Sequence, residues 1–461
     1  MDISSSRNLS LITVLSYLFL LIIPFLMAVH YVFILLFLLY FAFVPFKLDL
    51  PIYLYSYFIL YDLMTLLLLN SGSDFNSILF QAIMLIIISL YCLKYNVYNN
   101  NFFFVMLLIT LVETVYGLTN SGSVVGAVAF IKNLLIFPAL LILGYRTDLS
   151  SSKNNFWLFV VVMLLSFLVN GIQDIYGFEK FFLNFGYDIF YYSRNISGIG
   201  EIPIGIATYD IINQQTSHRM LGIFLSPDKA AYVMYGILLF LFIWIEKKLS
   251  VFLLMFISAF MVVPLYFFHV KAILLNLMVF FYSYFLIRIF NIQSLIKRTS
   301  VALFMIILMA IWALNAKVVA FSSSGAIQHV WGLFYPILNS LNSPVTFLMG
   351  NGIGTGGTVG QQGIVSELSK AARGGESFIG SLFYQMGLLG LLVYAALYLY
   401  LDRIFLKKSP YSYKILSSIL LGVFISSMFS EPVLSIFQVS CYMLVIQYVI
   451  YKESICGNTR I

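Results

Sequence analysis

Between Gly350 and Gly390 the chain runs GNGIGTGGTVGQQGIVSELSKAARGGESFIGSLFYQMGLLG. It opens as a polar, glycine-rich stretch and passes at Gly375-Glu376-Ser377 into an apolar helix. Arg373 stands three residues before Glu376. A guanidinium carries five N–H donors in a rigid fork and grips phosphate or carboxylate oxygens. A carboxylate beside it can take the proton of an attacking hydroxyl. Glu376 is equally at home as an acid that stabilises the start of a helix dipole, so residue type alone leaves both roles open.

A second constellation is His218-Arg219-Met220-Leu221-Gly222-Ile223-Phe224-Leu225-Ser226-Pro227-Asp228-Lys229. Ser226-Pro227 reads as a helix start, with Ser as cap and Pro in the first turn. Asp228 then sits at the positive end of that helix, and Arg219 and Lys229 bring two cations to it. Backbone N–H groups and cations together suit a phosphate. The bland role of Arg219 is to anchor at lipid headgroups. Lys271, just after His269, is a further cation that fits either task. The run Gly350 to Gly357 lacks the Gly-Lys-Ser/Thr of a P-loop and has no βαβ context. Its glycines fit tight turns and close backbone approach.

The elements that hold these residues are membrane helices. Of the 461 residues 62% are hydrophobic and 9% charged, against about 25% charged in a soluble domain. Apolar runs fall at roughly 9–27, 31–46, 51–69, 76–93, 102–119, 124–144, 155–171, 227–245, 249–267, 270–290, 300–317, 376–402, 412–430 and 433–451, each near the ~20 residues of a span. The expectation is an all-α polytopic integral membrane protein of about 12 to 14 helices, one transmembrane domain over residues 1–461. The first run is too long for a signal peptide and reads as an anchor. Cys92, Cys441 and Cys456 show no metal or disulfide spacing.

With the N-terminus inside, sixteen of the 25 Lys and Arg fall in inner loops, as the positive-inside rule requires. Both termini are then cytoplasmic. The short basic clusters are topology signals, which argues against nucleic acid as a partner. Two outer loops are long, 172–226 and 318–375, and carry Lys180, Arg194, Arg219, Lys370 and Arg373. The first includes the aromatic run FEKFFLNFGYDIFYYSRN, suited to the bilayer surface. Within spans lie Asp62, Glu113 and Lys132. Glu113 and Lys132 are expected to pair across the turn between their helices rather than to form a proton path.

At these residues the chain resembles the O-antigen polymerase and ligase superfamily of bacterial envelope enzymes. The pattern Arg-x-x-Gly-x-Phe-x-x-Pro stands as Arg219 to Pro227. A Gly-x-Gly loop stands as Gly350 to Gly357, followed by Glu376-Ser377 and the helix pattern Gly387-Leu388-Leu389-Gly390. Ligases usually carry His-Asn where this chain has Glu376-Ser377, which favours polymerase. Where the family often has Ser-Arg, Val270-Lys271 stands here.

The resemblance implies a metal-independent glycosyltransferase of GT-C-like architecture, without cofactor, in the bacterial inner membrane and active on the periplasmic side. Its donor and acceptor would be polyprenyl-diphosphate-linked glycans, and a chain-length regulator would be a partner beside the membrane lipids. The product would be O-antigen, capsule or another surface polysaccharide. In those terms Arg219, Arg373 and Glu376 carry the reaction, the arginines facing the diphosphate and Glu376 the acceptor hydroxyl. Lys271, Arg194, Lys229, Asp228 and His218 are binding candidates. Tyr192, with Tyr187 and Tyr191, can stack on sugar rings or serve in an interfacial belt. The rival readings are an O-antigen ligase and a lipid-linked glycan flippase.

Overall fold

A computed structural model of the chain describes residues 88–97, 101–120, 122–146, 155–177, 226–266, 270–315, 327–357 and 367–458, with Asp62, Phe224 and a few short stretches between 180 and 218. The described chain is helical: α1 Asn101–Thr119, α2 Val124–Arg146, α3 Asn155–Tyr176, α4 Pro227–Ile245, α5 Val251–Met261, α6 Val263–Tyr266, α7 Lys271–Phe290, α8 Leu295–Asn315, α9 Gly332–Ser340, α10 Pro344–Met349, α11 Glu367–Ala372, α12 Phe378–Leu406, α13 Pro410–Ser427 and α14 Ile436–Asn458. Six of these (α1, α2, α3, α4, α7 and α12) are long and apolar enough to cross a bilayer. The protein is therefore a multi-pass membrane protein. The expected spans from 102 onward coincide with observed helices to within a few residues. The run expected at 249–267 is broken at Val262 into α5 and α6, because Pro264 cannot continue the backbone ladder. The spans expected at 9–27, 31–46 and 51–69, and most of 76–93, lie outside the described residues.

The chain divides into two compact units. In the unit built from residues 1–91, 150–241 and 263–270, α3 packs on α4. A Cβ at Gly236 would lie 2.1 Å from Phe159 Cε1, so the missing side chain admits the ring. Phe159 and Phe156 in turn meet Phe240 edge-on. Within the segment expected as the first outer loop, the described residues form two two-stranded hairpins, Gly198–Ile199 with Ile202–Pro203 and Ala207–Asp210 with Gln215–His218.

In the unit built from 92–149, 242–262 and 271–461, α13 lies along α7, α14 along α2, and α12 on α13. Small residues permit this closeness, as in other membrane bundles: a Cβ at Gly422 of α13 would meet Asn276 Oδ1 of α7 at 2.4 Å. One end of this bundle is a basic collar. Lys247 sits 3.7 Å from the centre of the Tyr411 ring, Lys248 3.8 Å from Trp244 and Lys408 4.8 Å from Tyr145. Inside the collar, fully buried Arg298 donates to Ser283 Oγ and Ser417 Oγ, both at 2.6 Å, and faces Asp402 at 3.8 Å. Removing one partner of such a pair strands the other charge. Arg298→Leu is expected to lower stability by about 3–5 kcal/mol, and Asp402→Leu added to it to recover most of the loss. Thermal unfolding of the detergent-solubilised protein measures both.

The described part of the segment expected as the second outer loop is helical. After a π-helical turn at Ile327–Trp331, α9 and α10 form a short pair on α12. Phe334, Leu338, Leu341, Val345 and Leu348 are exposed. Phe334, Leu338 and Leu341 are four and three apart along α9 and its C-cap, and Val345 and Leu348 three apart in α10, so each helix exposes an apolar edge, the pattern of segments lying in a bilayer interface.

Candidate functional site

At the end of the second unit opposite the basic collar, the glycine loop closes against α12, the end of α1 and the start of α2. Gly350, Gly352, Gly354 and Gly357 all have positive φ. Gly352 N donates to Gln385 O at 2.8 Å and Gly354 N to Gln385 Oε1 at 2.7 Å. Ile353 N donates to Glu113 O and Ser123 N to Gly354 O, each at 3.0 Å. The loop is thus pinned to α12 on one side and to the α1–α2 turn on the other. A Cβ on Gly352 would fall 2.2 Å from Gly117 Cα, so neither position has room for a side chain.

Glu376 precedes the N-cap of α12. Ser377 Oγ accepts from Gly380 N at 2.9 Å and donates to Met428 O at 2.5 Å. Glu376 O accepts from Glu431 N at 2.6 Å. These bonds tie the start of α12 to the turn between α13 and α14 and fix where the Glu376 carboxylate stands. That carboxylate is 42% exposed, and its Oε2 lies 3.2 Å from His329 Nε2. His329 Nδ1 faces Phe429 O at 2.6 Å. A carbonyl can only accept, so Nδ1 holds a hydrogen, and one proton between Nε2 and Oε2 completes the second bond. Oε2 is thereby engaged, which leaves Oε1 for a substrate. Arg373 is exposed, and its carbonyl accepts from Gly357 N at 3.3 Å.

Behind this dyad sits a polar group that sequence reasoning missed. Lys132 of α2 interacts electrostatically with Glu431, whose Oε1 lies 3.5 Å from Asn133 Nδ2. A Cβ on Gly357 would stand 3.6 Å from both Glu431 carboxylate oxygens and 3.7 Å from Gln385 Nε2. The expected Glu113–Lys132 pair does not form. Both Glu113 carboxylate oxygens are buried without a hydrogen-bond partner among the described residues. The reason is packing: α2 runs along α14 and turns Lys132 toward Glu431, while the inserted glycine loop covers the α1 face that carries Glu113.

Of the candidates read from sequence, Glu376 and Arg373 stand together at the loop, and Lys271 is exposed at the start of α7 in the same unit. Lys229 belongs to the other unit, where its ammonium pairs with the fully buried Asp62. Asp228 lies in the first turn of α4, as expected. The backbone of His218 pairs with Ala207 in a hairpin. Arg219, Arg194, Tyr187, Tyr191 and Tyr192 lie outside the described residues. His329, Glu431, Gln385 and Asn133 were not singled out in the sequence. The one local signal was Ser430-Glu431-Pro432, an acid and a helix breaker between two apolar runs. Among the described residues no group of His, Cys, Asp and Glu has the arrangement of a metal site. No protein-family model, curated protein or solved structure matches the chain.

Proposed function

We propose that the protein is a polysaccharide polymerase of the O-antigen type. It moves a glycan from a polyprenyl diphosphate onto the sugar hydroxyl of another lipid-linked repeat unit, on the periplasmic side of the bacterial inner membrane. The observation that carries this reading is the His329–Glu376 dyad beside Arg373, at the end of the bundle away from the basic collar. A collar rich in lysine is expected to face the cytoplasm, and that expectation supports a periplasmic reading of the dyad.

In this reading Glu376 Oε1 takes the proton of the acceptor hydroxyl. The hydroxyl oxygen bonds to the anomeric carbon of the donor, and the bond from that carbon to the diphosphate oxygen breaks. The electron pair leaves with the diphosphate, whose charge is met by fixed cations. Arg373 is the first of these, and Arg219 and Lys271 are the further cations that the resemblance names. His329 holds Glu376 in place through Nε2.

Deleting the gene in cells with an intact glycan pathway, then resolving the surface polysaccharide on a gel, tests the assignment. Loss of a polymerase leaves core with one repeat attached. Loss of a ligase leaves bare core, and loss of a flippase leaves bare core with single repeats held facing the cytoplasm. A normal ladder dismisses all three. Restoring the gene with Arg219→Ala is expected to leave the single-repeat pattern while the protein stays in the membrane.

A further inference from the structure

Between α9, α10 and α12 lies a cavity of about 210 Å³ whose chemistry the proposed reaction does not yet use. Its walls include Asn339, Ser340, Thr346, Asn351, Phe383 and Tyr384. Among the described residues no charged side chain lines it. Two amides, three hydroxyls and two aromatic rings make a wall that is half polar and half apolar. Ligand pockets for drug-sized molecules run to roughly 300–1,000 Å³, so this one has room for a single ring.

The hydrogen-bonding capacity of the wall is partly spent. Ser340 Oγ donates to Ile337 O at 2.8 Å and Thr346 Oγ1 to Ser343 Oγ at 3.1 Å, so both hydroxyls face the cavity as acceptors. Asn351 Nδ2 donates to Tyr384 O at 3.1 Å, which leaves its Oδ1 and a second N–H. Among the described residues no hydrogen bond engages the Asn339 amide or the Tyr384 hydroxyl, each able to donate and to accept. Phe383 is buried and braced edge-on by Phe347 at 5.7 Å. A molecule with hydroxyls around its rim and C–H groups on its face matches this pattern, since a ring's π-face takes C–H groups and its neighbours take the hydroxyls. An anion does not, because nothing described here would neutralise it.

We infer that this cavity is a subsite for one uncharged sugar ring of the glycan. The inference rests on the glycan reading above and adds the class of sugar and the residues that hold it. The place is suitable. Tyr384 is both a wall of the cavity and a neighbour of the glycine loop: a Cβ on Gly356 would lie 2.7 Å from Tyr384 Cδ1 and 2.9 Å from Arg373 O. A sugar seated there is one residue's width from the backbone that carries Arg373.

Saturation-transfer NMR on the full-length, detergent-solubilised protein tests it. The probes are the methyl glycosides of glucose, galactose, N-acetylglucosamine and N-acetylgalactosamine, with the methyl glycoside of glucuronic acid as the charged comparison. At least one neutral glycoside is expected to receive saturation. Tyr384→Phe and Asn339→Ala are each expected to weaken its binding about three- to tenfold, the effect of one lost hydrogen bond. Both changes sit at hydroxyl or amide groups without a partner among the described residues, and Gly171→Ala in α3, where nothing lies within 4 Å of the added Cβ, serves as the unaffected control. Equal or stronger transfer to the glucuronide, transfer unchanged in both variants, or transfer to none of the probes overturns the assignment. The two readings fail separately. A normal ladder after gene deletion removes the polymerase and leaves a sugar site standing, whereas a lost ladder without glycoside binding removes the subsite alone.

Discussion

Glu376→Gln is expected to abolish chain growth, with the variant present in the membrane at the wild-type level. The replacement keeps the side-chain shape, and it keeps the backbone carbonyl that accepts from Glu431 N at 2.6 Å. What it removes is the ability of the group to take a proton. A positioned base contributes about 10²- to 10⁴-fold, so polymer formation should fall by at least about a hundredfold. Glu376→Asp keeps the carboxylate on a shorter stem and should retain part of the rate. His329→Gln still offers an N–H toward Glu376 and should be milder than His329→Phe, which offers none. The readout is in vitro extension of a lipid-linked repeat unit, followed on a gel. Chain growth within about threefold of wild type for Glu376→Gln would end the role assigned to this carboxylate.

The second large effect concerns the glycine loop. Gly352→Ala adds a single methyl group, yet that carbon would lie 2.2 Å from Gly117 Cα, where unstrained carbons stay about 3.5–4.0 Å apart. Gly352 also has φ +90°, a conformation that costs a non-glycine residue roughly 1–3 kcal/mol. The loop must leave the α1–α2 turn, and with it go the bonds from Ile353 N to Glu113 O and from Ser123 N to Gly354 O. Thermal unfolding should shift down by several degrees and activity should be lost. Gly171→Ala makes the same chemical change where nothing lies within 4 Å. It should be neutral or slightly stabilising, by up to about 1 kcal/mol from helix propensity. Similar behaviour of the two variants would mean that Gly352 is not a contact point.

These two cases also separate what the chain discloses locally from what only packing creates. Apolar runs of about twenty residues and the cap chemistry of Ser226-Pro227 report short-range preferences, and the helices beginning at Pro227 and Phe378 appear where those preferences put them. The spacing of the loop glycines likewise announced close backbone approach. The partners of Glu376 left no such trace. His329 stands 47 positions earlier and Glu431 55 later, and no periodicity links them. Lys132 shows the limit best. By sequence distance Glu113 was its nearest acid within a span, but the face of α2 that carries Lys132 is set by α14, which comes some three hundred residues later. Glu113 was left under the loop instead, with both oxygens unpaired among the described residues.

Within α12, Gly387 departs from helical geometry at φ 56°, ψ −149°, and a Cβ there would lie 2.6 Å from the Leu348 carbonyl carbon. The helix therefore consists of two rods meeting at a kink. The residues from Phe378 to Met386, with Glu376 just ahead of them, ride on a stub rather than on the full shaft. The stub is held by its bonds to the glycine loop and to the α13–α14 turn, so those contacts, and not the line of the longer rod, set where the carboxylate stands.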